Sequence, residues 1–379
     1  MIYLDNTATT FPKPGCVIEA ITDFIRNDCG NAGRSSHKMS VKSSEKLYEA
    51  RELIAALFNG NEEDVVFTLN TTYALNIAIK SLLPDHSHIL ISDIEHNSVL
   101  RPVYSLYKEK RCSYDLFNTD GNNEQIISSI KLNLKKNTRM LVCTHLSNVG
   151  CRRLPIKEIG NFCRENNILF IVDAAQSAGV YEIDVKDMNI NALCIPGHKS
   201  LYGPQGVGII LFNGINPKKT LLQGGTGIDS FNLNMPDSLP EMLEAGTMPT
   251  PNIVGLSSAV KWLNKLTMEK IRTHEECLYN LLLSLLENNE RISVYKMNDY
   301  SGNTLMFNIN NLTSQKVASI LDDYGICVRD GFHCSPLAHK KLATGKNGAI
   351  RVGFSIFNTQ LDVYTLYDAL MDIIIKNRL

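Results

Sequence analysis

From about residue 60 to residue 212, short apolar runs alternate with amphipathic segments of helix length. This alternation restricts the fold more than any other feature of the chain. VVFTL (Val65–Leu69), HILIS (His88–Ser92), RMLVCT (Arg139–Thr144), ILFIVD (Ile168–Asp173), NALCIP (Asn191–Pro196) and GVGIILF (Gly206–Phe212) read as strands. TTYALNIAIKSLL, HNSVLRPVYSLYKEK and PIKEIGNFCRENN read as the helices that separate them. Strands joined through helices need crossover connections, and crossovers build a largely parallel sheet. Such strands are covered on both faces and read as continuous apolar runs, as these do.

After about residue 255 the pattern changes. GLSSAVKWLNKLTMEKIRTHEECLYNLLLSLLENN is helical by its apolar spacing. The strand-like runs RISVY, NTLMFNIN and AIRVGFS follow, with helices TSQKVASILDDYG and TQLDVYTLYDALMDIIIKN between and after them. A chain of 379 residues is longer than one hydrophobic core usually serves. The expected class is therefore α/β, with a large domain over 1–255 and a small α+β domain over 256–379. Residues 1–30 are expected to pack with the small domain.

A net charge of −1 favours neither nucleic acid nor an acidic membrane as partner. No apolar run approaches the ~18 residues that cross a bilayer. The N-terminus MIYLDNTATTFPKP lacks a basic stretch followed by an apolar one, so no signal peptide is expected. The ten cysteines are scattered, with no C-x-x-C pair. That reads as reduced thiols in a cytoplasmic protein with no metal site.

Ligands of open α/β sheets bind beyond the carboxyl ends of the strands, and polar residues stand at several such ends here. Asp173 closes ILFIVD. Thr71 and Thr72 follow VVFTLN. Asn148 follows RMLVCTHLS. His198 and Lys199 follow NALCIP, in the glycine-rich turn PGHKSLYGPQG. A buried lysine has its pKa lowered and becomes an amine nucleophile toward an aldehyde. Pyridoxal 5′-phosphate needs such a lysine and a carboxylate on its ring nitrogen. Its phosphate needs hydroxyls and backbone N–H groups, best supplied at a helix N-terminus.

TLNTTYALN, SDIEHNSVLRP, CTHLSNVG, IVDAAQSAGV, PGHKSLYGPQGVG, LEAGTMPTPNIVGL, RDGFHCSPLAH and AIRVGFSIFNT resemble, in order, the blocks of the class V aminotransferase superfamily. They are most similar to its group II cysteine desulfurase and selenocysteine lyase branch. The resemblance spans nearly the whole chain and implies the fold type I of pyridoxal-phosphate enzymes. It implies that Lys199 bonds the coenzyme aldehyde, Asp173 pairs with the ring nitrogen, Gln176 bonds the ring hydroxyl and His96 stacks on the ring. Thr72, the backbone at Thr71, and His198 would hold the phosphate, with Thr247 reaching it from the second subunit of a homodimer. Asn148 and Arg351 would bind the substrate carboxylate, the arginine through its planar fork. Arg34 and His37 would line the entrance.

Cys334, in RDGFHCSPLAH, corresponds to the cysteine that takes sulfur from the substrate as a persulfide. The reaction implied is L-cysteine to L-alanine, catalysed by Lys199, Cys334 and His96, with the sulfur passed on to an acceptor such as a sulfur-acceptor protein. Selenocysteine cleavage, C–S lysis of a modified cysteine and transamination are the alternatives. The chain departs from its relatives at Pro196, at Tyr73 and in SNVGCRRLPI, where Cys151, Arg152 and Arg153 replace a small pair. Arg152 is expected either to bind a second anionic group near the coenzyme or to face solvent.

Overall fold

The computed structural model describes residues 1–33, 35–228, 230–297 and 302–377. In chain order it contains β1 (Ile2–Tyr3), α1 (Gly15–Asn27), α2 (Lys38–Phe58), β2 (Val65–Thr68), α3 (Thr71–Leu82), β3 (Ser87–Ser92), α4 (Asn97–Lys108), β4 (Cys112–Phe117), α5 (Asn123–Leu132), β5 (Thr138–Thr144), α6 (Ile156–Glu165), β6 (Leu169–Asp173), β7 (Ala192–Pro196) and β8 (Gly208–Phe212). The rest is α7 (Thr250–Leu266), α8 (Met268–Leu286), β9 (Ile292–Tyr295), β10 (Thr304–Ile309), α9 (Ser314–Asp323), β11 (Ile326–Cys327), α10 (Pro336–Lys341), β12 (Ile350–Gly353) and α11 (Gln360–Lys376).

Seven strands form the central sheet in the order β2-β8-β7-β6-β5-β3-β4. All are parallel except β8, which runs against both β2 and β7. Because β8 reverses twice, β2 points the same way as β7. The carboxyl ends of β2, β3, β5, β6 and β7 therefore share one edge, and the expected site residues follow those ends. Strands β2, β3, β7 and β8 are buried along their whole length, as their apolar sequences require. β4 and α5 have no counterpart in the reading of the sequence. β4 (CSYDLF) is an edge strand, half-exposed and polar at alternate positions, so it lacks the apolar run.

The long helical run after residue 255 is two helices. They break at Thr267, whose φ is +73° and whose side chain caps α8 by accepting from Lys270 N at 3.4 Å. The 255/256 position lies inside α7. Ile253, Leu256, Val260 and Leu263 of that helix pack into the large-domain core. Along α8, Ile271 packs in the cluster around the seven-stranded sheet, while Leu278, Leu282 and Leu286 pack in the cluster that holds Leu305, Phe307 and Val352 of β10 and β12. In the small domain, β12-β10-β9 form an antiparallel sheet covered by α8, α9 and α11. The N-terminal segment divides: β1 pairs with β11 and Leu4 enters the small core, whereas α1 packs on α7. Among the described residues no helix is long and apolar enough to cross a membrane.

Candidate active site

The shared strand edge opens into a cavity of about 250 Å³. Lys199, Asp173, Gln176 and His198 line it from the β6 and β7 side, and Thr71, Thr72, His96 and Asn148 from α3, α4 and the turn after β5. Burial pulls the Lys199 ammonium down to about 8. Asp173 opposes that shift, and Arg351 and Arg329 reinforce it. Burial likewise raises the Asp173 carboxyl, while the Ala175 amide, 2.9 Å from its Oδ1, and Lys199 lower it. The carboxylate and the amine thus stabilise one another's charge across the cavity.

His96 caps α4. Its Nδ1 accepts from the Ser98 amide at 3.0 Å and lies 2.8 Å from Ser98 Oγ. Burial first, then Lys199, pushes its imidazole down to about 4, so the ring is neutral. Ser98 Oγ is also 2.7 Å from Thr72 Oγ1, which links the first turns of α3 and α4. Gln176 donates to the Thr7 carbonyl at 3.2 Å, so the N-terminal segment braces the pocket. The His198 carbonyl accepts from Lys13 Nζ at 2.7 Å, and burial lowers the His198 imidazole to about 4.

The cavity suits a phosphorylated pyridoxal. The first amides of α3 have no intrahelical acceptor and face the pocket end at Thr71 and Thr72. Two buried lining atoms, Thr71 Oγ1 and His198 Nδ1, have no hydrogen-bond partner among the described residues, so each is left for a bound group. A buried carboxylate and a buried amine face the same space, as the ring nitrogen and the aldehyde require.

A model for the family described as aminotransferase class-V matches residues 2–366. The chain belongs to this family. A probable cysteine desulfurase of Methanothermobacter thermautotrophicus is 31% identical, across 98% of this chain and 94% of that protein. Another, from Pyrococcus abyssi, is 30% identical across 99% and 94%. The solved structure of a cysteine desulfurase from Thermococcus onnurineus superposes with a TM-score of 0.87 at 27% identity, across 98% of this chain and 94% of that one. The fold is fold type I of the pyridoxal-phosphate enzymes, and this class-V aminotransferase chain is an enzyme of that kind.

Of the other residues singled out in the sequence, Asn148 lines the cavity, Cys334 stands at its margin and the other described ones lie elsewhere. Arg351 is buried in β12 and does not line the cavity; its guanidinium pairs with Asp5 at 3.0 Å, and burial lowers it to about 10. Asn148 lines the pocket but its amide also holds the cysteine loop: Nδ2 donates to the His333 carbonyl at 2.8 Å, and Oδ1 accepts from Ser335 Oγ at 2.7 Å. Cys334 is exposed at the pocket margin, its carbonyl accepting from the Asn97 amide at 2.7 Å. His37 caps α2 at the surface and is not part of the cavity lining. Thr247 lines a separate cavity with Arg51 and Glu244. Arg34 lies outside the described residues.

Arg152 fits neither expectation. It is 4% exposed, donates to the Gly121 carbonyl, and lines a different cavity with His145 and Tyr181. Gly150 (φ +73°) and Cys151 (φ +51°) turn the chain there into a short hairpin, closed by the Ser147 amide on the Arg152 carbonyl. That turn carries the arginine away from the coenzyme pocket. Two further residues border the site, and the sequence alone does not mark them. Glu95 is fully buried, accepts from the Thr144 amide at 2.9 Å, and is raised to about 8 chiefly by burial, with Asp173 adding to the rise. The Arg329 guanidinium is 3.9 Å from Cys334 Sγ. Both residues stand inside the quoted blocks, in SDIEHNS and RDGFHCS, but only the folded contacts give them a role.

Proposed function

We propose that this enzyme is a cysteine desulfurase that uses pyridoxal 5′-phosphate to convert L-cysteine to L-alanine, with the sulfur carried on Cys334. The observation that carries the reading is the juxtaposition of a depressed Lys199 amine, a buried Asp173 carboxylate and a cysteine pinned at the same pocket margin. The names and coverage of the relatives support it. When bound, the coenzyme supplies an electron sink for the carbanion at the substrate α-carbon. The chain's own groups do the rest. Asp173 would pair with the ring nitrogen, His96 would meet the ring as a neutral imidazole, and Thr71, Thr72 and His198 would hold the phosphate. Gln176 would bond the ring hydroxyl.

The family resemblance gives Arg351 the substrate carboxylate; it stands outside the cavity lining, but its guanidinium, held by Asp5 on one nitrogen, leaves Nε without a partner among the described residues, and Asn148 lines the cavity itself. Lys199, neutral above about pH 8, removes the α-proton as a positioned base. The Cys334 thiolate then attacks the substrate sulfur. A sulfur–sulfur bond forms and the carbon–sulfur bond breaks. The electron pair stays with the carbon fragment, which takes up protons and leaves as alanine. An acceptor thiol, free or on a protein, removes the outer sulfur from Cys334. All ten cysteines are unbridged, which suits a reducing cytoplasm.

Product analysis tests this. Wild-type enzyme with L-cysteine and a reductant is expected to yield alanine and sulfide, and Cys334→Ala neither. Pyruvate and ammonia would point to C–S β-elimination. A keto-acid requirement would point to transamination, and a strong preference for L-selenocysteine to a selenocysteine lyase. We further propose a homodimer: Thr247 does not reach its own chain's pocket, and Phe231 and Leu233 stand fully exposed on the same long connection. Sedimentation at the mass of one chain would refute that assembly.

A further inference from the structure

Cys334 sits in an unusual backbone. It and His333 are consecutive non-glycine residues in the left-handed region, with φ of +58° and +49°. Such a pair persists only where the surroundings hold it. The His333 ring is 3% exposed, with Nε2 3.3 Å from the Arg329 carbonyl and Nδ1 2.9 Å from Nε2 of His339. His339, 2% exposed in α10, has its Nδ1 2.8 Å from Thr344 Oγ1. The two rings stack at 5.1 Å.

The direction of this chain is fixed by its inner end. A carbonyl only accepts, so His333 Nε2 carries the proton and, the ring being neutral, Nδ1 accepts. His339 must then donate through Nε2 and accept at Nδ1 from the Thr344 hydroxyl. Burial lowers both imidazoles, His333 to about 2 and His339 to about 4, in keeping with neutral rings. The chain ends on a carbonyl that takes no proton, so it holds geometry and relays nothing. What it holds is the Arg329–Cys334 turn, which sets the thiol beside the Arg329 guanidinium.

We infer that His339 is a positioning residue for Cys334, holding the left-handed His333–Cys334 pair in register through a donated hydrogen bond to His333. The inference rests on the desulfurase reading for its effect on turnover, not for its effect on the loop. Removing the donor leaves His333 Nδ1 buried without a partner and releases the turn. A misplaced reacting atom costs about ten- to a hundredfold. The cost falls on sulfur transfer and spares proton exchange at the α-carbon, which is the work of Lys199.

His339→Gln keeps an N–H where Nε2 stood, and His339→Leu fills similar space without it. Three rates are to be measured on the holoenzymes: alanine release from L-cysteine, solvent-deuterium exchange at Cα of L-alanine, and alkylation of Cys334 by iodoacetamide resolved by peptide mass. The leucine variant is expected to lose about tenfold or more in kcat with KM little changed. Its deuterium exchange should hold within about twofold of wild type, and its Cys334 alkylation should slow. The glutamine variant should recover most of both lost rates. The inference is overturned if leucine matches wild type, if glutamine is as impaired as leucine, or if exchange falls in step with turnover. Should the leucine variant not be recovered folded, Thr344→Val decides: a weaker loss of the same kind supports the inference, and wild-type rates overturn it. If wild type releases no alanine, the desulfurase reading fails, and the alkylation rates alone judge the positioning role of His339.

Discussion

At the scale of single residues, Lys199 and Asp173 explain each other. Burial makes the ammonium costly and brings it down to about 8, while the nearby carboxylate keeps the shift from going further. An amine is nucleophilic only when unprotonated, so uptake of pyridoxal 5′-phosphate by coenzyme-free enzyme should accelerate with pH and level off above about pH 8. An ordinary lysine would still be gaining near its pKa of about 10.4. Stopped-flow absorbance of the bound coenzyme checks this, and Lys199→Ala should abolish the band. The positions of Lys199 and Asp173 are legible in the sequence because each follows or closes an apolar strand run, and the structure brings both to one cavity. Glu95, Arg329 and His339 are not legible in this way. Their roles depend on which atoms they meet from other elements, and no local pattern of letters encodes that.

At the scale of elements, the fold follows from burial, and the misreadings follow from its absence. Strands buried along their length carry apolar runs that read as strands; β4, half-exposed and polar at alternate positions, carries none. No glycine or proline marks the break between α7 and α8; a threonine takes the turn instead. The small domain is tied to the N-terminal segment by Asp5, whose carboxylate meets the buried Arg351, and by the Gly353 amide donating to the Leu4 carbonyl at 2.7 Å. Asp5→Ala would leave that guanidinium buried without its counter-ion, at a cost of about 3 kcal/mol. Urea denaturation should show a lower midpoint with an unchanged slope. A midpoint equal to wild type would mean the pair is not a structural tie.

At the scale of the whole molecule, buried neutral groups set the response to pH. Burial pushes His96, His198 and His339 down to about 4, His145 to about 3 and His333 to about 2. An unfolded chain protonates its histidines from about pH 6.5 downward. Below that pH the unfolded state therefore binds more protons, and stability is lost as the pH falls. Glu95 and Glu275 behave oppositely. Both are raised to about 8, so they hold protons in the fold that the unfolded chain has released, and stability is lost as the pH rises toward 8. Between pH 4.5 and 6.5 the five histidines outweigh the two carboxyls. Above about 6.5 only the carboxyls act, until the lysines begin to titrate. The thermal midpoint of the coenzyme-free protein should therefore peak near pH 6.5; a midpoint that climbs steadily from pH 6 to pH 8 would contradict this balance.

The central claim is that Lys199 chemistry and the Cys334 sulfur act on one substrate in one pocket. A single turnover of the holoenzyme with L-cysteine and no reductant, followed by peptide mass analysis, tests it most directly. The expected result is one equivalent of alanine and a Cys334 peptide heavier by one sulfur atom, with neither formed in Cys334→Ala. Alanine released at the wild-type rate by Cys334→Ala, or sulfur found on another cysteine, would contradict it.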